Sequence, residues 1–308
     1  MNTIKKKDLE GQQGYKDIFH KDNSSMQWSR EPKDKSNMPA SNEKRHTTSD
    51  LSNFPKMMLP LLILSALLLP SRAFILIKGG KEAAPHSRPY MASITVTEDN
   101  HSWIACGGFL VQEDYVLTAA HCYKRNMTNI FVTLGAHNIQ KKENTQQVIP
   151  VLQAFPHPEF SSDLKLNDIM LLKLKRKAQL NTAVQTIALP RSQDWVRAEQ
   201  KCSVAGWGLM NNGWLSDTLK EVDLEVQNKQ ECRRIFPHYD DTTELCVGNP
   251  LGIKDMGMGD SGGPLVCNNV AHGIVSHGYD NKPPKVFTRI SSFVLWIHQI
   301  MKRSSIAK

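Results

Sequence analysis

No two cysteines stand at the C-x-x-C spacing of a zinc site, and the nearest cysteine–histidine pair is the directly adjacent His121-Cys122, so the sequence offers no recognisable metal centre. Aromatic residues are only 7% of the chain and do not interleave with a basic tract, which argues against nucleic-acid recognition. The apolar run Met57–Leu69 (MMLPLLILSALLL) is short for a bilayer span and has the length of a signal peptide. No repeat of about 20–50 residues stands out.

What is present fits a globular protein. With 308 residues, 40% hydrophobic and 22% charged, the chain can bury one large core or two moderate ones. The formal charge of +8 is uneven: residues 1–76 carry 12 Lys+Arg against 8 Asp+Glu, leaving the remainder at about +4. That excess suits contact with an acidic proteoglycan, but a plain solvated basic face is the favoured reading.

Residues 1–56 are polar and lack an apolar period, so they are expected to be disordered and outside the mature protein; Met57 or Met58 is a natural start for the signal that follows. Residues 57–73 read as that signal peptide, with small residues at Ser71 and Ala73 and cleavage after Ala73. A type II membrane anchor with a basic tail is the alternative, which the Pro70-Ser71-Arg72 interruption opposes. All six cysteines lie downstream, an even number that reads as disulfides in an oxidising compartment. Asn126-Met127-Thr128 is a glycosylation sequon.

From Ile77 onward, short β-branched and aromatic runs such as Cys106–Val111 and Phe131–Leu134 alternate with Gly, Pro, Asn and Asp turns, predicting an all-β sandwich or barrel. Phe293, Val294, Trp296, Ile297, Ile300 and Met301 recur at helical spacing after Ser291 and Ser292, two candidate caps, and predict a C-terminal amphipathic helix.

The run Gly259-Asp260-Ser261-Gly262-Gly263 carries the most specific chemistry. A serine hydroxyl attacks at neutral pH only with a base in reach and a carboxylate to orient that base. His121 in Thr118-Ala119-Ala120-His121-Cys122 and Asp168, immediately before the apolar run Ile169–Leu172, are the candidates; an ordinary loop histidine and a turn aspartate are the bland readings. Glycines around Ser261 let backbone N–H groups approach a developing oxyanion.

In the order His121, Asp168, Ser261, the sequence resembles the chymotrypsin-like (trypsin family) serine proteases from Ile77 to about Arg303. Within that family it looks most like the granzymes of cytotoxic lymphocyte granules, granzyme B and granzyme H in particular. The tracts carrying the likeness are PHSRPYM, LTAAHC, VTLGAHNI, NDIMLL, CSVAGWG, ELCVG and GDSGGPLVC. The resemblance implies two packed six-stranded antiparallel β-barrels with the site between them. His121 becomes general base and acid, Asp168 its orienter and Ser261 the nucleophile, with the N–H groups of Gly259 and Ser261 as oxyanion hole. It also implies the disulfides Cys106–Cys122, Cys202–Cys267 and Cys232–Cys246, no cofactor, protein or peptide substrates, secretion through granules, and a monomer.

Relatives are made as zymogens, so residues 74–76 (Phe74-Ile75-Leu76) become a propeptide whose removal frees Ile77 to pair with Asp260. An apolar propeptide and Lys78 in Ile77-Lys78-Gly79-Gly80 depart from the family pattern. The primary pocket is more ambiguous. Asp255 stands six residues before Ser261 and alone predicts cleavage after Lys or Arg, whereas Lys285 matches the position where granzyme B carries an arginine that selects aspartate. Met256 fills space, and Ser276, His277 and Gly278 match the strand that pairs with substrate backbone. An acidic preference is favoured, with hydrophobic and basic preferences open. A catalytically weak basic binder is the competing function, opposed by the retained His121 and Ser261.

Overall fold

The structure, a computed structural model, describes residues 79–98, 101–123, 129–210, 214–279 and 282–306. The expectations for residues 1–76, Ile77, Lys78 and the Asn126 sequon lie outside the described residues.

Strand β1 is the two-residue piece Lys81–Glu82. The next six strands are β2 (Met91–Glu98), β3 (His101–Gln112), β4 (Tyr115–Thr118), β5 (Asn129–Leu134), β6 (Gln147–Pro156) and β7 (Met170–Leu174). They close a barrel in the order β2-β3-β4-β7-β6-β5. Every residue of β4 and β7 is buried, so the apolar residues of both strands do not alternate with polar ones; the buried Lys173 of β7 is paired with Asp114 at 2.6 Å. Phe109, Leu117, Val132, Leu134, Ile149 and Leu171 fill the interior.

The second unit comprises β8 (Lys201–Gly206), β9 (Lys220–Glu225), β10 (Glu244–Val247), β11 (Pro264–Cys267), β12 (Val270–His277) and β13 (Lys285–Arg289). With β1 added at one edge they form a seven-stranded sheet, β1-β9-β8-β11-β12-β13-β10. The expected second barrel is therefore continuous through six strands but is joined by fewer bonds than the first. A bridge between Val226 and Val247, with Gly248 N–H to Glu225 O (2.8 Å) and Gln227 N–H to Cys246 O (2.8 Å), brings β10 round to the end of β9.

The three disulfides join Cys106 to Cys122, Cys202 to Cys267 and Cys232 to Cys246, the pairs implied by the resemblance. A short helix, Lys229–Ile235, is capped by Asn228, whose side chain accepts from the N–H of Gln230. The C-terminal helix runs over Val294–Ile306 and buries Val294 and Ile297 against the barrel core, leaving Leu295 exposed. Ser292 does not cap it. Its hydroxyl donates to Thr242 O at 2.6 Å, and Ile290–Ser292 forms a 3-10 turn ahead of the helix.

Glu82 holds the edge strand across the seam between the units. Its carboxylate accepts from Lys220 Nζ (2.6 Å) and Thr218 Oγ1 (2.9 Å) and lies 3.1 Å from His137 Nε2. The hydrogen bond from Lys220, followed by that from Thr218, holds the carboxyl at about 2, against the raising effect of burial. Because the folded-state value is depressed, the stabilisation is present above about pH 4.5 and is lost as pH falls toward 2. Glu82 is half exposed, so the ion pair is screened, while the Lys220 side chain is only 4% exposed. Glu82→Gln is expected to lower stability by about 1 kcal/mol at pH 7, a difference that shrinks to nothing near pH 2 in urea titrations; a pH-independent difference would reject the ionic contribution.

Candidate active site

The site begins where β4 ends. Thr118 closes that strand, and the next residues turn into a single 3-10 turn, Ala120–Cys122, that presents His121. Two restraints hold the turn: Cys122 is bonded to Cys106 on β3, and Thr118 Oγ1 donates to Gly107 O at 2.8 Å. Cys106, His121 and Cys122 place their potential ligand atoms within 4.8 Å, but both sulfurs are spent in the disulfide and leave no thiolate for a metal.

Asp168 lies just before β7 and is fully buried. Three donors converge on its carboxylate: His121 Nδ1 at 2.7 Å and Ser276 Oγ at 2.6 Å on Oδ2, and His121 backbone N–H at 2.9 Å on Oδ1. Its own carbonyl accepts from Thr288 Oγ1 at 2.7 Å. Burial alone raises its pKa, but the hydrogen bond and charge of His121, with the Ser276 hydroxyl and the His121 N–H, outweigh burial and hold the carboxyl below the ordinary range. An ionised Asp168 fixes the tautomer of His121. Nδ1 carries a proton on the line to Oδ2.

The loop bearing Ser261 is seated on this turn. Gly107 N–H donates to Ser261 O at 2.8 Å, and Gly262 N–H donates to Val275 O at 2.9 Å. Gly262 has φ of +83°, and a Cβ there would lie 2.1 Å from Thr118 Oγ1 and 2.5 Å from Gly107 O. Any side chain would therefore force the Ser261 loop off the His121 turn. Among the described residues no backbone acceptor takes the N–H groups of Gly259 or Ser261.

Asp260 is also fully buried. It accepts from Gly208 N–H (2.8 Å) and Gly257 N–H (2.9 Å). Burial raises its carboxyl to about 6, those two N–H groups work against the rise, and the neighbouring Asp255 adds to it.

Asp255 and Lys285 meet. Lys285 Nζ lies 3.4 Å from Asp255 Oδ2 and also donates to Tyr279 O, and both side chains are at least nine-tenths buried. The lysine chain passes directly over Gly278, where a Cβ would fall 2.4 Å from Lys285 Cδ. Met256 belongs to the apolar core of the second unit, and its N–H donates to Asp255 Oδ1 at 2.9 Å. His277 ends β12 with Nδ1 3.1 Å from Ser276 Oγ, and its ring meets Phe236 edge-on at 5.6 Å.

The structure thus gathers His121, Asp168 and Ser276 by direct contact, Ser261 through its loop, and Asp255 with Lys285. Sequence reading missed Thr288, which is buried in a strand like its neighbours, and Phe236, which reaches the site from the end of the Lys229–Ile235 helix. Neither carries a motif; a buried hydroxyl on a strand that otherwise faces core was the only available signal.

The trypsin family model matches residues 77–297. Mast cell protease 8 of Mus musculus is 58% identical over 224 residues, covering 72% of this chain and 89% of that protein. Human granzyme B is 52% identical over 246 residues, covering 79% of this chain and 98% of its own length. Human cathepsin G is 51% identical, covering 80% and 95%. A solved structure named "Structure of GrC" superposes with a TM-score of 0.69 at 49% identity, covering 73% of this chain and 99% of that one. The chain belongs to the trypsin family and is a chymotrypsin-like serine endopeptidase of the granzyme type.

Proposed function

We propose that Ser261, His121 and Asp168 hydrolyse peptide bonds of protein or peptide substrates through an acyl-enzyme. The observation that carries the reading is the 2.7 Å contact of Asp168 with His121 Nδ1, made where Gly262 seats the Ser261 loop on the histidine turn. His121 Nε2 takes the proton of Ser261 Oγ as that oxygen bonds to the substrate carbonyl carbon. The N–H groups of Gly259 and Ser261 bind the resulting oxyanion. The imidazolium then protonates the departing amine, and a water activated by the same histidine releases the acid.

Activation follows from the burial of Asp260. A carboxylate without a cation in that position is costly, and the α-amino group of Ile77, freed by removal of residues 74–76, is the proposed partner. Residues 57–73 act as signal peptide and residues 1–56 do not belong to the mature enzyme, whose protease domain is 77–308. Secretion through storage granules, retention by acidic proteoglycan and a monomeric state complete the reading, supported by the mildly basic body and by the kinds of relative it resembles.

For specificity, the Asp255–Lys285 pair neutralises the carboxylate that otherwise attracts Lys or Arg, so a basic residue before the cut gains little. An acidic side chain is the proposed preference. Lys285 can exchange its carbonyl and carboxylate partners for it.

Three outcomes test these assignments. Processed Ser261→Ala should lose fluorophosphonate labelling completely; persistent labelling would remove Ser261 from its role. In a peptide library varied before the cut, Lys285→Gly should exchange acidic for basic preference by about 10-fold or more, a reversal of one charge contact; an unchanged profile counts against the pocket. The unprocessed chain should lose stability as pH rises from about 4 to 6, since a raised folded-state carboxyl is stabilising only while protonated. Asp260→Asn should remove about 2–3 kcal/mol of that slope, and identical pH curves for the two chains would contradict it.

A further inference from the structure

The contact between Ser276 and His277 assigns a proton. Ser276 Oγ stands 2.6 Å from Asp168 Oδ2 and 3.1 Å from His277 Nδ1. A hydroxyl has one proton and two lone pairs. Asp168 is ionised and only accepts, so an oxygen–oxygen separation of 2.6 Å requires that the Ser276 proton lie on that line. Ser276 then has only lone pairs to offer His277. Nδ1 of His277 must carry hydrogen.

We propose that His277 is a positioning residue: its Nδ1–H donates to Ser276 Oγ and thereby commits the Ser276 proton to Asp168, extending the charge network of His121 by two residues. The inference rests on the triad reading above, because the network matters to catalysis only if His121 is the base. It gives His277 a polar role in addition to its ring packing.

The surroundings hold the imidazole for this task. Phe236, 8% exposed, meets the His277 ring at 83°, and Tyr279 stacks on Phe236 at 5.4 Å and 15°. These contacts fix the ring plane, and thus the direction of the Nδ1–H bond. The ionisable groups that act on His277 are Asp168, His121 and Lys165. Burial is the largest influence and lowers the imidazole to about 4; Asp168 opposes it, and the positive influence of His121 and Lys165 adds to it. The ring is neutral in the working range of a protease. Its second nitrogen, Nε2, therefore keeps a lone pair. Protonation in acid adds hydrogen at Nε2 and leaves the Nδ1–H donor in place.

A Ser276 hydroxyl released from His277 screens Asp168 less steadily, and a less screened Asp168 favours the imidazolium of His121. His277→Phe keeps the aromatic contact with Phe236 but deletes the donor, whereas His277→Asn can place an amide N–H where Nδ1 stood. In the processed enzyme, His277→Phe should lower kcat/KM by about 3- to 10-fold, the usual range for one neutral hydrogen bond in a network. It should also move the acid limb of the pH profile to higher pH, a change that loss of packing does not produce. His277→Asn should restore both to within about twofold. In a Ser276→Ala background the same Phe substitution should leave the acid limb unmoved.

The tautomer can be read without activity. In Ser261→Ala protein at neutral pH, nitrogen-15 spectra of the His277 ring should show a protonated Nδ1 and an unprotonated Nε2. The opposite tautomer, an acid limb that does not move, or a limb that moves equally without the Ser276 hydroxyl overturns the proposal. Labelling that survives Ser261→Ala overturns the triad reading instead, and leaves the nitrogen assignment standing.

Discussion

A carboxylate withdrawn from water ties the two β units together. Asp168 comes from the barrel, just ahead of strand β7, yet Ser276 and Thr288, both on strands of the second sheet, hold its side chain and its carbonyl. An isolated charge in this position would cost several kcal/mol. Three donors offset the cost, and two of them come from His121 itself. The histidine is therefore not placed first and then oriented. The same bonds that make a buried Asp168 tolerable define the ring position, its tautomer and the approach of the second sheet.

A second constraint, steric rather than electrostatic, completes the cleft. The Ser261 loop reaches the histidine turn only because position 262 has no side chain, and the loop is then held from both sides by Gly107 and Val275. Disulfide Cys106–Cys122 secures the partner surface of that contact. Backbone atoms meet backbone atoms here, so the spacing between the two loops is set by covalent geometry and not by flexible side chains. Asp260, the neighbour of Ser261, points inward and is met there by the N–H groups of Gly208 and Gly257.

These constraints differ in how plainly the sequence announces them. The serine loop was legible because Gly262 has to be glycine, with positive φ and no room for a side chain. The strands around Cys106–Val111 and Phe131–Leu134 were legible because burial of one or both faces leaves a periodic record. The helix at Phe293–Met301 was legible for the same reason, though its start was not, since Ser292 was taken by Thr242 from a distant loop. The second barrel was the less complete match, because β10 meets the end of β9 through an isolated bridge; the added edge strand Lys81–Glu82 is polar and only two residues long, too short for any pattern. Thr288 and Phe236 carried no motif. Their roles arise from contacts across 120 residues and 41 residues respectively, and a single sequence records no such distances.

Asp255 and Lys285 show why two local readings of single residues leave the preferred substrate undecided. Asp255 taken alone attracts a cation and Lys285 taken alone attracts an anion; at 3.4 Å the two charges offset one another. Buried ion pairs of this kind contribute little net stability, because desolvation consumes most of the attraction. Both members are held by the backbone as well as by each other: the Met256 N–H donates to Asp255 Oδ1, and Lys285 Nζ donates to Tyr279 O while its chain lies over Gly278. A charge read from one residue of such a pair is therefore the charge of the pair, which only the contact between them reveals.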